Sequence, residues 1–350
     1  MKSLDFLRFL MFPLTPFYGF IIRLRNYLFD KNIFKSGKVN VPVISIGNLT
    51  IGGSGKTPTT IYLTNLLKNN GFKPGVLSRG YGRKSKGYLL VANNRNSLND
   101  VEECGDEILQ TIAECKVPAA VSENRVRGAN KFLSETKIDS IILDDAFQHR
   151  WIHRDLDILL FEQRLLIAKN KLRRMLLPTG NMREHFDSTK RADVIILNRK
   201  FSSKEELPAE FEQLFADKKV FTAYYESVGF VDVKTHSFYK PEEFVGQKSL
   251  VISGIANPVS FLNALKKMNV ETANHLIFRD HKFYTKDDIQ KIRKSFYDLN
   301  THSVITTQKD AVRLYPFSKE FDDVDIYYLK IELKFDRQKE FDEFVLKCIK

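Results

Sequence analysis

Cysteine is scarce in this 350-residue chain: Cys104, Cys115 and Cys348 show no Cys-x-x-Cys spacing and form no even set. That excludes a disulfide framework and reads as reduced thiols in a cytosolic protein. A membrane span is also missing near the amino terminus. The uncharged stretch from Phe9 to Ile22 has fourteen residues, five of them aromatic and two proline, whereas a spanning helix needs about 20 apolar residues. No small-residue cleavage pattern follows it, so it is a poor signal peptide. There is no internal repeat, low-complexity tract or zinc-ligand cluster. His149 and His153 are four apart, but Arg150 stands where a zinc-protease motif requires Glu. Helix-turn-helix, RNP-like and zinc-knuckle patterns are lacking too. The formal net charge of +12 is therefore not read as a nucleic-acid footprint. It fits an anionic membrane surface or a phosphorylated substrate.

Glycine, by contrast, is concentrated where it matters. Ile51-Gly52-Gly53-Ser54-Gly55-Lys56-Thr57-Pro58 follows the apolar run Val41–Ile46 and precedes Ile61, Leu63, Leu66 and Leu67. This reads as strand, phosphate-cradling loop and helix. Gly52, Gly53, Ser54 and Gly55 turn backbone N–H groups inward, Lys56 brings a mobile charge, and the Thr57 hydroxyl can ligate Mg²⁺. Thr50 stands where the full GxxxxGK(S/T) pattern has its first glycine, so the match is to GGxGKT.

Further β-branched runs recur at the spacing of βα units: Gly75–Ser78, Ala119–Ser122, Ser140–Leu143, Leu156–Phe161 and Val194–Leu197. Few alternate apolar with polar, which predicts buried parallel strands covered on both faces. The expected architecture is α/β: a P-loop NTPase-like doubly wound core over 37–220, after an amino-terminal helical segment at 1–36. A second, smaller α/β lobe is expected at 221–350. The runs Val220–Tyr225, Gly229–Val233 and Asp325–Leu333 suggest a β-ribbon hinge between the lobes.

The strand Ser140–Leu143 ends in Asp144-Asp145, the acid that usually accompanies a phosphate loop and holds Mg²⁺ or its water shell. Gly105-Asp106-Glu107 offers a base and a second metal-shell carboxylate, or simply acids at a helix start. Arg79 is expected at another strand end. Asn198-Arg199-Lys200-Phe201 replaces the Asn-Lys-x-Asp of guanine-specific proteins, so adenine is the expected base. The apolar amino-terminal stretch is flanked by Lys2, Arg8, Arg23, Arg25, Lys31 and Lys35. That pattern suits an interfacial helix on anionic lipid, although an ordinary packed helix explains its apolar residues as well. The loop Arg173–Glu184, basic and apolar, suits contact with a phosphorylated amphiphile or an ordinary surface loop.

Taken in order, these motifs resemble the tetraacyldisaccharide 4'-kinase family. The likeness runs from Gly47-Asn48-Leu49-Thr50 and GGSGKTP through Leu77–Gly82, Gly105-Asp106-Glu107, Asp144–His149, Leu176–Pro178 and Arg183-Glu184. It continues to Asp280-His281 and Thr306–Val312. Ile108, Ala146 and Gln308 stand where many members have Pro, Gly and Glu. The resemblance implies ATP-dependent phosphorylation of the 4'-hydroxyl of a lipid A precursor disaccharide at the cytoplasmic face of the inner membrane, with no obligate protein partner. It further implies that Asp106 and His281 form a catalytic pair and that Lys56 holds phosphates. Thr57, Glu107 and Asp144 would surround Mg²⁺, and Arg79, Asp145, Gln148, His149, Arg183 and Glu184 would line the site. From the residues alone, the competing reading is a membrane-associated P-loop switch ATPase, which would release only inorganic phosphate.

Overall fold

The computed structural model describes residues 8, 10–93, 96–97, 101–169, 171–280 and 282–349. Lys2, Phe9 and His281 lie outside the described residues. The strands are β1 (Val43–Asn48), β2 (Pro74–Ser78), β3 (Leu89–Asn93), β4 (Asn96–Ser97), β5 (Ala119–Val121), β6 (Ser140–Leu143) and β7 (Leu156–Glu162). There follow β8 (Val194–Asn198), β9 (Lys219–Asp232), β10 (Phe238–Tyr239), β11 (Ser249–Ser253), β12 (Asn274–Ile277), β13 (Ser303–Thr307) and β14 (Ile326–Phe335). They form one sheet in the order β12-β11-β13-β14-β9-β8-β7-β1-β6-β2-β5-β3-β4, with β10 beside β9.

The six strands from β8 to β5 in that order are parallel, as the continuous apolar runs require. Their side chains sort by period two onto opposite faces. Ile44, Ile46, Ile142, Ile158, Leu160, Val194 and Ile196 pack with Leu63, Leu67, Ile108, Ile112, Phe341 and Val345 from helices Lys56–Asn69, Asp106–Cys115 and Gln338–Ile349. Val43, Ile141 and Leu143 meet Ala129 and Phe132 of helix Arg125–Glu135, while Leu159, Phe161, Ile195 and Leu197 meet Phe211 and Phe215. Burying both faces makes this part doubly wound.

The second part has its own parallel set, β12-β11-β13-β14. The ribbon that joins the two is longer than the sequence suggested. β9 is one strand of 14 residues; its start pairs parallel with β8, and it runs antiparallel to β14 from Ala223↔Phe335 to Asp232↔Tyr327. A register shift at Lys330/Ile331 interrupts the ladder midway. The edge pair β3 and β4 and the short strand β12 were not anticipated from the sequence.

The amino-terminal helix, Leu14–Asp30, lies on the first part. Its inner face is small and polar: Thr15 Oγ1 meets Thr179 Oγ1 at 2.6 Å, and Tyr18 donates to the Arg183 carbonyl at 3.0 Å. A Cβ on Gly19 would come within 2.9 Å of Leu176 Cδ1, so glycine permits the close approach. Phe29 packs edge-on against Trp151 and Phe34. The other face leaves Leu14, Phe17, Phe20, Ile21, Leu24 and Tyr27 exposed. Packing and an open apolar stripe thus occur on one helix. No helix among the described residues is long and apolar enough to cross a membrane.

Candidate active site

β1 carries the chain to the phosphate loop, and two close approaches fix its course. A Cβ on Gly47 would lie 2.5 Å from Phe147 Cβ, so glycine lets the Asp144–Gln148 turn sit directly against β1. Gly55 has φ +100, and a Cβ there would strike the Asn198 amide at 2.1 Å. Helix Lys56–Asn69 starts from that left-handed residue, with Thr59 Oγ1 donating to the Gly55 carbonyl at 2.9 Å. Asn198 Nδ2 donates to the Ser54 carbonyl at 3.2 Å and to the Tyr225 hydroxyl at 3.0 Å. Asn198, at the strand end where guanine-specific proteins carry their base-reading motif, therefore braces the phosphate loop.

Lys56 Nζ stands 3.7 Å from Asp145 Oδ1 and 3.5 Å from Asn48 Oδ1. Arg183 forks onto the same carboxylate, with Nη2 at 2.8 Å and Nη1 at 3.2 Å, and also donates to Asn48 Oδ1. Gln148 Nε2 donates to the Asn48 carbonyl at 2.9 Å. Asp145 adopts left-handed backbone, φ 49, an uncommon conformation that these bonds hold in place. Burial would raise its carboxyl, but Lys56 and Arg183 hold it below the ordinary aspartate range.

Asp144 behaves oppositely. It is fully buried at the end of β6, accepting from Thr60 Oγ1 at 3.3 Å. Burial first, then the Glu107 charge, push it up to about 7 against the counteracting Lys56. Glu107 and Lys56 thus both lie near enough to act on the buried Asp144 carboxyl. Among the described residues no group of three or more His, Cys, Asp or Glu is arranged to hold a metal.

Asp106 opens helix Asp106–Cys115 after Gly105, whose φ is +93. It is buried, and its partners come from helix Gln308–Leu314 in the second part. Arg313 Nε donates to Asp106 Oδ2 at 2.9 Å, Arg313 Nη2 pairs with the same oxygen, and Lys309 Nζ lies 3.6 Å from it. Lys309 also stands 3.6 Å from Glu107 Oε1. The Thr306–Val312 motif is thereby brought against Gly105-Asp106-Glu107 across the sheet.

Not every sequence candidate converges on the loop. Glu184 is buried and tied to Arg191 at 3.0 Å, Arg25 at 3.2 Å and Asn26 at 2.7 Å, so it anchors the amino-terminal helix. Burial would raise its carboxyl, but Arg191, Asn26 and Arg25 keep it low. Arg174 is engaged internally, on Glu210 at 2.6 Å and over the Phe211 ring, rather than offered to a phosphate. Arg79 is exposed just beyond β2. His149 is pushed down to about 4 by burial and then by the charges of Arg125, Arg154, Arg79 and Arg25. It is neutral at physiological pH, and its buried Nε2 has no hydrogen-bond partner among the described residues.

Arg125 was missed by the sequence reading. It begins helix Arg125–Glu135 after the Asn124 cap, is 2 % exposed, and acts electrostatically on Asp144 and Asp145. Burial brings its guanidinium down to about 10, so it stays a cation. Its position just after β5, three residues from Ser122, was the only available signal. Asn48, Arg313 and Asn198 were also missed as parts of the site.

Comparisons with known proteins agree in direction. A family model described as "Tetraacyldisaccharide-1-P 4'-kinase" matches residues 7–350. A Flavobacterium johnsoniae protein named tetraacyldisaccharide 4'-kinase is 36 % identical over 359 residues, covering 99 % of this chain and 98 % of that one. A Phocaeicola vulgatus protein of the same name is 35 % identical, covering 95 % of this chain and 92 % of that one. The crystal structure of LpxK from Aquifex aeolicus in complex with ATP superimposes with a TM-score of 0.80 at 30 % identity. It covers 98 % of this chain and 100 % of the other.

Proposed function

The chain belongs to the tetraacyldisaccharide-1-P 4'-kinase family, and from that premise we propose which residues perform the transfer and where the protein works. The reaction is ATP-dependent phosphorylation of the 4'-hydroxyl of the lipid A precursor disaccharide. In our reading the 4'-oxygen attacks the γ-phosphorus in line, the bond to the bridging oxygen breaks, ADP leaves, and the hydroxyl proton passes to Asp106. Lys56 lies against the β- and γ-phosphates, with Asn48, Asp145 and Arg183 setting its direction. A Cβ on Gly53 would meet nothing within 4 Å, so internal packing does not call for glycine there, whereas a phosphate approaching the backbone would. His281 is assigned a part beside Asp106 on the family resemblance alone. The lobes we propose are 37–220 and 221–350, joined by the β9–β14 ribbon.

Mg²⁺ fits the residues present. Burial and the neighbouring Glu107 charge both make ionised Asp144 costly, and a divalent cation would relieve that cost. Mg²⁺ is usually held by one or two carboxylates, water and substrate phosphates, so a complete protein cage is not needed. Bound there, the ion would neutralise charge on the transferring phosphoryl group. The observation that carries this reading is the raised Asp144 carboxyl. Because its pKa in the folded protein lies above the unfolded value of 3.8, near 7, its contribution to stability is fully present below about pH 3.8. That contribution is lost as the pH rises through 7. A metal that binds the ionised form reverses this penalty. The rise in melting temperature on adding Mg·ATP should therefore be larger at pH 8 than at pH 5.5. Equal rises at both would remove Asp144 from the metal shell.

We also propose that the exposed stripe of Leu14, Phe17, Phe20, Ile21, Leu24 and Tyr27 rests in the anionic cytoplasmic leaflet, with exposed Arg23, Lys31 and Lys35 at its rim. The acyl chains of the substrate would then stay partly in lipid. Removing the whole segment would also break the Tyr18 and Thr15 contacts, so paired substitution is the cleaner test. Phe17→Glu with Phe20→Glu should weaken sedimentation with anionic vesicles by about tenfold or more, given ~1.5–3 kcal/mol per buried aromatic. Unchanged vesicle binding would retire the membrane-helix proposal.

A further inference from the structure

A buried charged network joins the two parts of the molecule. Asp310 is fully buried and receives the Gly254 N–H at 2.9 Å, the Thr307 hydroxyl at 2.7 Å and the Tyr284 hydroxyl at 3.2 Å. Arg313, 4 % exposed, donates from Nη1 to Asp310 Oδ1 and to the Gly254 carbonyl, each at 3.1 Å. The rest of its guanidinium crosses to the other lobe. Nε and Nη2 both engage Asp106 Oδ2. One rigid fork thus links a fixed carboxylate of the second lobe to a helix-initial carboxylate of the first.

We propose that Arg313, held by Asp310, is a positioning residue: gripping Asp106 by Oδ2 sets the direction of Oδ1 toward the acceptor hydroxyl. The proposal rests on Asp106 being the proton acceptor, as read above. Interlobe adhesion does not account for the arrangement. The same seam already carries Gln308 Nε2 to Glu114 Oε1 at 2.5 Å and Lys330 Nζ to Glu114 Oε2 at 3.5 Å, both on the half-buried Glu114. A cation buried between two carboxylates is a poor route to stability, since apolar packing of like volume does as well or better. It is a good route to fixed orientation, because the planar fork admits few geometries. The helix bearing Arg313 is itself fixed, with Thr307 Oγ1 accepting the Asp310 N–H at 3.1 Å. The consequence is that Asp106 is aligned only while the second lobe is docked.

The test uses the full chain and separates kcat from KM. Arg313→Ala should lower kcat by up to about 10²-fold, the order expected when a reacting group is misplaced by about 1 Å, with KM for ATP nearly unchanged. Arg313→Lys, which keeps the charge but not the fork, should fall between the alanine variant and the parent. Millimolar guanidinium should restore part of the alanine variant's kcat and none of the parent's. Should the alanine variant fail to fold, the lysine variant decides: a several-fold lower kcat at unchanged KM supports the proposal, and a parental kcat overturns it. Asp106→Asn distinguishes the two levels. If that variant transfers phosphate normally, the base assignment fails. If it is inactive while both Arg313 variants keep parental kcat, only the positioning role fails. On the Asp106→Asn background, adding Arg313→Lys should change the residual rate little, because the two act as one unit.

Discussion

Asp106→Asn is expected to lower kcat by about 10²–10⁴-fold, the range that a positioned general base contributes. The amide keeps the shape of the side chain and can still accept from Arg313 Nε, now 2.9 Å away, but it cannot take up the hydroxyl proton. Alanine is the less informative replacement. It would leave Arg313 and Lys309 facing each other with one carboxylate fewer, and breaking a buried pair costs about 3–5 kcal/mol. A loss of activity would then mix chemistry with unfolding. The measurement is label transfer from γ-labelled ATP to the disaccharide in detergent micelles, with the melting temperature as control. A folded asparagine variant with parental kcat would remove Asp106 from the mechanism.

Lys56→Ala is expected to cost about 10²–10³-fold in kcat, the loss typical for one preorganised donor aimed at developing charge. Its surroundings predict that the loop survives the change. Arg183 keeps its two bonds to Asp145, Asn198 keeps Ser54, and the Gly55 carbonyl still receives Thr59. The deficit should therefore appear in kcat rather than in the melting temperature. Lys56→Arg should not rescue it, because the planar guanidinium cannot replace a compact ammonium in the space shared with Asn48 and Asp145. Parental turnover in Lys56→Ala would mean that the loop serves a purpose other than holding the transferred phosphate.

What could be read from the sequence follows a physical division. Continuous apolar runs announced β1, β2 and β5–β8, because strands buried on both faces need no polar alternation. β3 escaped notice because it lies next to the edge strand β4 with only Val91 and Ala92 buried, after a glycine-containing turn. β9 looked like two runs because Glu226 and Ser227 interrupt it. In the ribbon these residues pair with Glu332 and Ile331 and face solvent or half-burial, so polarity there carries no break. The phosphate loop and the Asp144 strand end were legible since their chemistry is local. The partners of Asp106 were not: Arg313 is 207 residues away, and only the fold through β13 and β14 brings it near. Asn48 and Asn198 were similarly silent, each a single amide whose role lies in its partners: Asn48 Oδ1 accepts from Lys56 and Arg183, and Asn198 braces the Ser54 carbonyl. Asp106 was ambiguous between helix-start acid and base until the family resemblance supplied the second meaning. Arg183 and Glu184, adjacent in sequence and read together, separate in space. One steers Lys56's neighbour Asp145 and the other moors the amino-terminal helix.

The most direct test is the fate of the labelled γ-phosphate when the protein is given ATP and, in parallel, the tetraacyldisaccharide 1-phosphate, simple sugars and nucleosides. The account predicts label on the disaccharide at its 4'-oxygen, little on the other acceptors, and loss of that product with Asp106→Asn and Lys56→Ala. Label recovered only as inorganic phosphate, whatever the acceptor, would contradict it and favour a switch ATPase.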